Sequence, residues 1–317
     1  MEIFKSKSPF KPIESSVLTI GSYDGVHRGH LNILNSVVSN AHALDAQSVV
    51  VTFDPHPRHV LEKREKKNPI IMGLSEKKQI IESLGIDYLY IINFTVEFSK
   101  TSSLDFLNNF IVKNFNPIAI ITGHDHYFGY KREGNPKFLK TYCGENDILL
   151  KSLPPVLDKD TAISSTGIRK LIKAGHLRKA NHKLGSIFGF NTRIVKGSGR
   201  GKSLEFPTAN LEPLEKYQLM PKPGVYFARG RIHGLRLYGM CNFGTRPTFL
   251  GDELVMEVHF FHNNLPSNLH GEKVKIEFLE KIREEKKFPS PLMLKRQLKK
   301  DKEKCLEIKK KYEQESQ

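Results

Sequence analysis

The sequence predicts two modules of different class: a doubly wound α/β parallel sheet, then a small antiparallel β-barrel closed by a C-terminal helix. Three observations carry that expectation. Short apolar runs alternate with amphipathic stretches from Val17 to about Leu150. Beyond about Lys183, glycine and proline become frequent and strand-like runs follow at close spacing. A basic segment with helically spaced apolar residues comes last. At 317 residues the chain is longer than one ordinary core supports, which agrees with two domains, 1–185 and 186–317.

In the first module VLTIG, SVVVTF, DYLYIINF, IAIITG and DILLKSL read as strands. Helices are predicted near 30–43, 75–84, 102–113 and 137–142. Such alternation builds βαβ units, with strands parallel and helices on both faces. Ligands of these sheets bind beyond the carboxyl ends of the strands. The polar motifs sit there: SYDGVHRGH after the first run, DPHP after the second and GHDHYFGYKREGN after the fourth. In the second module NTRIVKG, GVYFARGRI, RLYGMCNFG, LVMEVHFF and KVKIEFL are short strands between turn signals, as in a small barrel. The closing helix carries Leu294, Leu298, Cys305, Ile308 and Tyr312 on one face, with Ser290 as N-cap and Pro291 at the first helical position.

Composition narrows the function. Apolar residues make up 38% of the chain, and no run approaches the ~20 residues of a membrane span. The N-terminus MEIFKSKSPFKPIESS has no apolar stretch of the signal-peptide kind, so a cytoplasmic protein without a membrane partner is expected. Cys143, Cys241 and Cys305 are odd in number and far apart, which suits reduced thiols. A net charge of +16 raises the question of nucleic acid. Lys281 to Gln314 hold thirteen Lys/Arg against six Asp/Glu, so +7 of that charge belongs to one segment. A helix docked by one face and solvated on the other accounts for it, and phosphate-bearing substrates account for part of the rest. No nucleic-acid partner is expected.

His27 and His30 stand in GSYDGVHRGH, between a strand and a helix. An HxxH pair can bind zinc, and with thirteen histidines in the chain a metal-dependent hydrolase is the rival reading. Gly25 and Gly29 instead suit close approach of a phosphate to backbone N–H groups at a helix N-terminus, where both histidines would donate to it. In ISSTGIRKLI three adjacent hydroxyl residues, with Arg169 one turn inside, form a second phosphate cradle; an ordinary Ser/Thr cap is the plain alternative. In GKSLEFPTANL, Thr208 and Asn210 are candidates for magnesium and phosphate oxygens, against a simple turn around Pro207. Glu257 interrupts an apolar strand as a solvent-facing carboxylate or a catalytic base, and alternation leaves its face open.

Taken in order, GSYDGVHRGH, VVTFDPHPRHV, TGHDHYFGYKREGN, ISSTGIRKLI, GKSLEFPTANL, PGVYFARG, NFGTRPTF, MEVHFF and KIREEKKF resemble the bifunctional bacterial riboflavin kinase/FAD synthetase family from about Val17 to about Asp301. The resemblance implies a nucleotidyltransferase module that joins FMN and ATP into FAD and pyrophosphate. It also implies a six-stranded barrel that phosphorylates riboflavin with ATP and Mg2+. By motif, Gly21, Tyr23, Asp24, His27, Gly29 and His30 would meet ATP. Ser164, Ser165, Thr166 and Arg169 would hold its triphosphate, and Phe53, Asp125 and Arg132 would line the flavin and nucleotide pocket. In the kinase Thr208 would ligate magnesium with Asn210 close by, Glu257 would take the proton from the riboflavin 5′-hydroxyl, and Arg283 and Phe288 would close over the flavin.

The chain departs from that pattern at several positions. Tyr23 and His126 replace usual phenylalanines, and Gly167 replaces a usual arginine. Glu205 and Thr192 replace glycines, His262 replaces an aspartate, and Leu269–Glu272 replace a Tyr-Gly pair. A carboxylate at Glu205 would repel ATP unless it turns outward. That leaves an FAD synthetase with an inactive flavin-binding barrel as the nearest rival, and a basic nucleic-acid-binding protein as a remoter one.

Overall fold

The alternating runs form a parallel sheet in the computed structural model, which describes residues 1–6, 11–62, 68–197, 205–232, 234–248, 251–262 and 269–314. Its strands are β1 (Glu2–Lys5), β2 (Ser16–Ile20), β3 (Gln47–Asp54), β4 (Tyr88–Asn93), β5 (Pro117–Gly123) and β6 (Leu149–Leu153), in the order β1-β4-β3-β2-β5-β6. Every pairing is parallel. All five residues of β2 are buried, as expected where helices cover both faces. Strand β1 had no sequence signal because it is short, largely exposed and held at the edge by β4. The chain steps outward from β2 to β3 to β4, then returns to β5 on the other side of β2. The order therefore reverses beside the carboxyl end of β2, where sheets of this kind open a ligand crevice.

The helices of this unit are α1 (Arg28–Ala43), α2 (Pro57–Leu61), α3 (Leu74–Ser83), α4 (Ser103–Asp105), α5 (Lys113–Phe115) and α6 (Pro136–Glu145), with a π-helical segment, Phe106–Val112, joining α4 to α5. A small hairpin, β7 (Leu157–Asp158) and β8 (Thr161–Ala162), leads to α7 (Ser165–Ala174) and α8 (Leu177–Leu184).

The second sheet closes on itself. Strands β9 (Gly189–Val195), β10 (Ala209–Pro213), β11 (Gly224–Ile232), β12 (Leu235–Thr248), β13 (Gly251–Phe260) and β14 (Lys273–Arg283) form an antiparallel barrel in the order β10-β13-β12-β11-β14-β9. The segment expected as a loop, GKSLEFPTANL, is partly strand: Asn210 pairs with Val195 and Glu257. Residues 201–204 of that segment lie outside the described residues. Helix α9 (Pro291–Gln314) packs Cys305 and Ile308, with Leu298 and Tyr312, against Val225, Phe227, Met240 and Leu279 of the barrel. Each fully buried apolar side chain there stabilises by about 1.5–3 kcal/mol. The helix follows the predicted spacing, and Lys302 and Lys309 lie over the Phe261 and Tyr238 rings.

By packing, residues 1–70 and 74–165 form one unit, and 71–73 and 166–317 the other. Helix α8 goes with the barrel because Asn181 donates to the Phe278 carbonyl at 3.1 Å and accepts from the Phe188 N–H at 2.8 Å.

Where β9 crosses β14, a Cβ on Gly189 would lie 2.3 Å from the Ile276 carbonyl oxygen. Backbone cannot yield there cheaply. Gly189→Ala is expected to lower the barrel's unfolding free energy by about 1–3 kcal/mol, read from its urea midpoint.

Candidate active sites

Beyond β2 the chain turns sharply before α1. Tyr23 (φ 46°), Gly25 (φ 87°) and Val26 (φ 37°) all lie in the left-handed region, an uncommon conformation for the two non-glycine residues. That turn brings His27 onto the end of α1, where its Nδ1 accepts from the His30 backbone N–H at 3.3 Å. With Nδ1 engaged as an acceptor, neutral His27 carries its ring proton on Nε2. The two imidazoles stack with centroids 3.6 Å apart, and Tyr23 meets His30 edge-on at 5.2 Å while its hydroxyl bonds Thr19 at 2.7 Å. A Cβ on Gly29 would come within 3.2 Å of the His27 ring, so a bare backbone lets the stack form. Gly21 abuts Tyr23 in the same way.

Burial, then the charges of His27 and Lys77, hold His30 well below the ordinary histidine range. Its Nδ1 is buried without a protein partner. Lys77 was invisible to the sequence reading, being one lysine in an amphipathic helix. It is buried in α3 and donates to the Ser22 carbonyl at 2.6 Å.

The ISST motif reaches the same turn. Ser165 Oγ donates to the backbone carbonyl of Asp24, itself a buried residue, at 2.9 Å. The Ile163 carbonyl lies 3.9 Å from where a Gly29 Cβ would sit, and Ser164 falls between these two contacts in the sequence. The remaining positions are dispersed. Thr166 and Arg169 begin the second packing unit, with Arg169 buried in α7. Phe53, half-buried at the end of β3, meets Phe94 edge-on at 5.6 Å. Asp125 is 79% exposed just past β5, and Arg132 lies over the Tyr127 ring at 4.4 Å.

The barrel holds a cavity of about 610 Å³ on the face that α9 covers. Thr208, Glu257, Arg283 and Phe288 all line it. Register settles what alternation left open: Glu257 lies between Asn210 of β10 and Asn242 of β12, while Met256 and Val258 are buried on the other face. Asn242 and His259 also line the cavity and were not singled out from the sequence. His259, two residues beyond Glu257 in a period-two strand, was legible in principle. Asn210 turns its side chain toward Gly197, whose Cβ would overlap the amide. Arg283 donates from Nε to both carboxylate oxygens of buried Asp301, at 3.0 and 2.9 Å, and lies over the Phe288 ring at 5.6 Å.

Glu205 sits at φ 64°, where glycine is the easy choice. Its carboxylate accepts from Lys295 at 2.5 Å, and Lys295 and Lys299 hold it below the usual carboxylate range. The charge is turned toward α9. Thr192 is buried with its hydroxyl donating to the Val274 carbonyl at 2.8 Å, so this replacement costs the barrel no unpaired group. Among the described residues no group of three or more His, Cys, Asp or Glu is placed to hold a metal ion, and no helix is long and apolar enough to cross a membrane. The three cysteines are free and buried.

Comparison with known proteins assigns each half. Residues 10–167 match the family of FAD synthetases and residues 184–309 that of riboflavin kinases. A bifunctional riboflavin kinase/FMN adenylyltransferase of Listeria monocytogenes is 34% identical over 90% of this chain and 90% of its own. That of Bacillus subtilis is 30% identical over 92% of each. A crystal structure from Streptococcus pneumoniae, described as a macrolide-efflux protein, superposes with a TM-score of 0.85 at 30% identity, covering 95% of this chain and 97% of its own.

His126 gives the first unit an acid sensitivity. Burial pushes its imidazole down to about 4, and the ring stacks on Phe128 with Nε2 unpartnered. The unfolded chain therefore binds the proton first. Stability is full above pH 6.5 and falls as pH drops toward 4, by about 3 kcal/mol from this group. His126→Phe is expected to flatten that limb in urea titrations.

Proposed function

Because the chain belongs to the bifunctional riboflavin kinase/FMN adenylyltransferase family, we propose that it performs both reactions of that name. Riboflavin and ATP give FMN and ADP; FMN and a second ATP give FAD and pyrophosphate. The observation that carries this reading is that each unit has its own built site: a stacked histidine pair beyond β2, and a cavity walled by Glu257 and Thr208 on the barrel. We place both reactions in the cytoplasm, in keeping with three free buried thiols.

In adenylyl transfer an FMN phosphate oxygen attacks the α-phosphorus of ATP as the bond to pyrophosphate breaks. His27 meets the phosphates with its Nε2 proton, and His30, kept neutral by burial, contributes a hydrogen bond rather than a full charge. Gly21, Tyr23, Asp24 and Gly29 shape the turn. Ser164 and Ser165 offer hydroxyls beside it, in the motif that the family implies for the triphosphate and that runs on to Thr166 and Arg169. Phe53, Asp125 and Arg132 serve the flavin and nucleotide. Positioning and charge stabilisation supply most of the rate.

In the kinase, Glu257 takes the proton of the riboflavin 5′-hydroxyl as that oxygen attacks the γ-phosphorus. Arg283 and Phe288 cover the flavin. The oxygen donors at the cavity wall suit a hard cation, so Thr208 would hold magnesium with Asn210 close by in β10. The ion, when bound, neutralises phosphate charge. Glu205, paired with Lys295, leaves the nucleotide unopposed.

Purified protein incubated with Mg2+-ATP and riboflavin should yield FMN and FAD, and with FMN should yield FAD, as separated by chromatography. Riboflavin left untouched refutes the kinase half, and no product in either mixture refutes the whole reading. Glu257→Gln is expected to cut FMN formation by about 10²–10⁴-fold while FAD formation from FMN persists. His30→Ala should do the reverse, lowering FAD formation by about 10²–10³-fold.

A further inference from the structure

We propose that His259 is a positioning residue of the kinase half, whose Nδ1–H holds the Pro207 carbonyl and so sets Thr208 at the cavity wall. The proposal rests on the kinase reading above. Pro207 and Thr208 precede β10 and lie outside the barrel ladder, so strand pairing does not fix them. Among the described residues a hydrogen bond reaches them from the barrel: His259 Nδ1 to the Pro207 oxygen, at 2.9 Å. A carbonyl only accepts, so Nδ1 carries the proton and the neutral ring keeps a lone pair on Nε2.

That Nε2 is buried without a partner. The ring is wedged between Phe206, edge-on at 5.1 Å, and Phe261 at 5.8 Å. Burial holds His259 below the usual histidine range, consistent with a neutral ring. An unmet acceptor among aromatics is a cost that an apolar side chain of similar size would remove. The histidine therefore gains its place through one bond, and that bond ends one residue from Thr208. His259 also shares a strand face with Glu257, so one face of β13 carries the base and fixes the segment opposite it.

The test uses the full chain with three substitutions. His259→Asn keeps a donor where Nδ1 stood, His259→Gln moves it outward, and His259→Leu removes it. The kinase kcat/KM for ATP is expected to fall by about 10- to 100-fold in H259L and H259Q and to stay within about threefold in H259N. FAD formation from FMN by the same preparations should not change, and the unfolding midpoint of H259L should equal or exceed that of the unaltered chain. Amide hydrogen exchange over residues 206–212 should quicken in H259L and not in H259N. Full kinase activity in H259L, or H259N falling as far as H259Q, overturns the proposal. If the unaltered chain makes no FMN, the kinase reading fails by itself, and the exchange comparison still decides what His259 holds.

Discussion

Both candidate sites are consequences of strand pairing, because buried backbone N–H and C=O groups must be matched and the match fixes which residues become neighbours. In the first unit the parallel ladders of β4, β3, β2 and β5 point four strands the same way. Loops separated widely in sequence are thereby gathered along one edge. In the barrel, closure sets β13 between β10 and β12, so Glu257 stands beside Asn210 and Asn242. A shift of one residue in that register would turn Glu257 to the other face.

Side chains then complete what the ladders begin. Arg283 and Asp301 join β14 to α9 through bidentate bonds, with Gln297 donating to the same carboxylate at 2.8 Å. Breaking such a buried pair leaves an uncompensated charge, which costs about 3–5 kcal/mol. The pair keeps α9 on the barrel and keeps Arg283 in the cavity wall. In the first unit the comparable device is the histidine stack, which follows a left-handed turn and lies against Gly29, with Lys77 bonded to the Ser22 carbonyl of the same turn. Burial, with His27 and Lys77 close by, disfavours protonation of His30 in that stack.

Much of this was legible in the residues. Apolar runs such as SVVVTF and GVYFARGRI became strands at the expected places, and Leu298, Cys305, Ile308 and Tyr312 formed the docked face of α9. Strands β1 and β10 escaped notice for a common reason: both are short, and their residues are chosen by a neighbouring strand rather than by burial on one face. Lys77 and Asn242 carried no signal, since a lysine in a helix and an asparagine in a strand are ordinary until a neighbour gives them a role. Glu205 looked hostile to ATP from sequence alone. Its pairing with Lys295, ninety residues away, is a tertiary fact.

By itself the sequence determined the order of modules, the period of each element and the chemical types in each motif, because these follow from local spacing and side-chain chemistry. Only the tertiary structure decided which face Glu257 presents, where the Glu205 charge points, and that His27 and His30 stack. Those outcomes depend on register, on positive-φ turns and on partners distant in the chain, none of which a local pattern encodes.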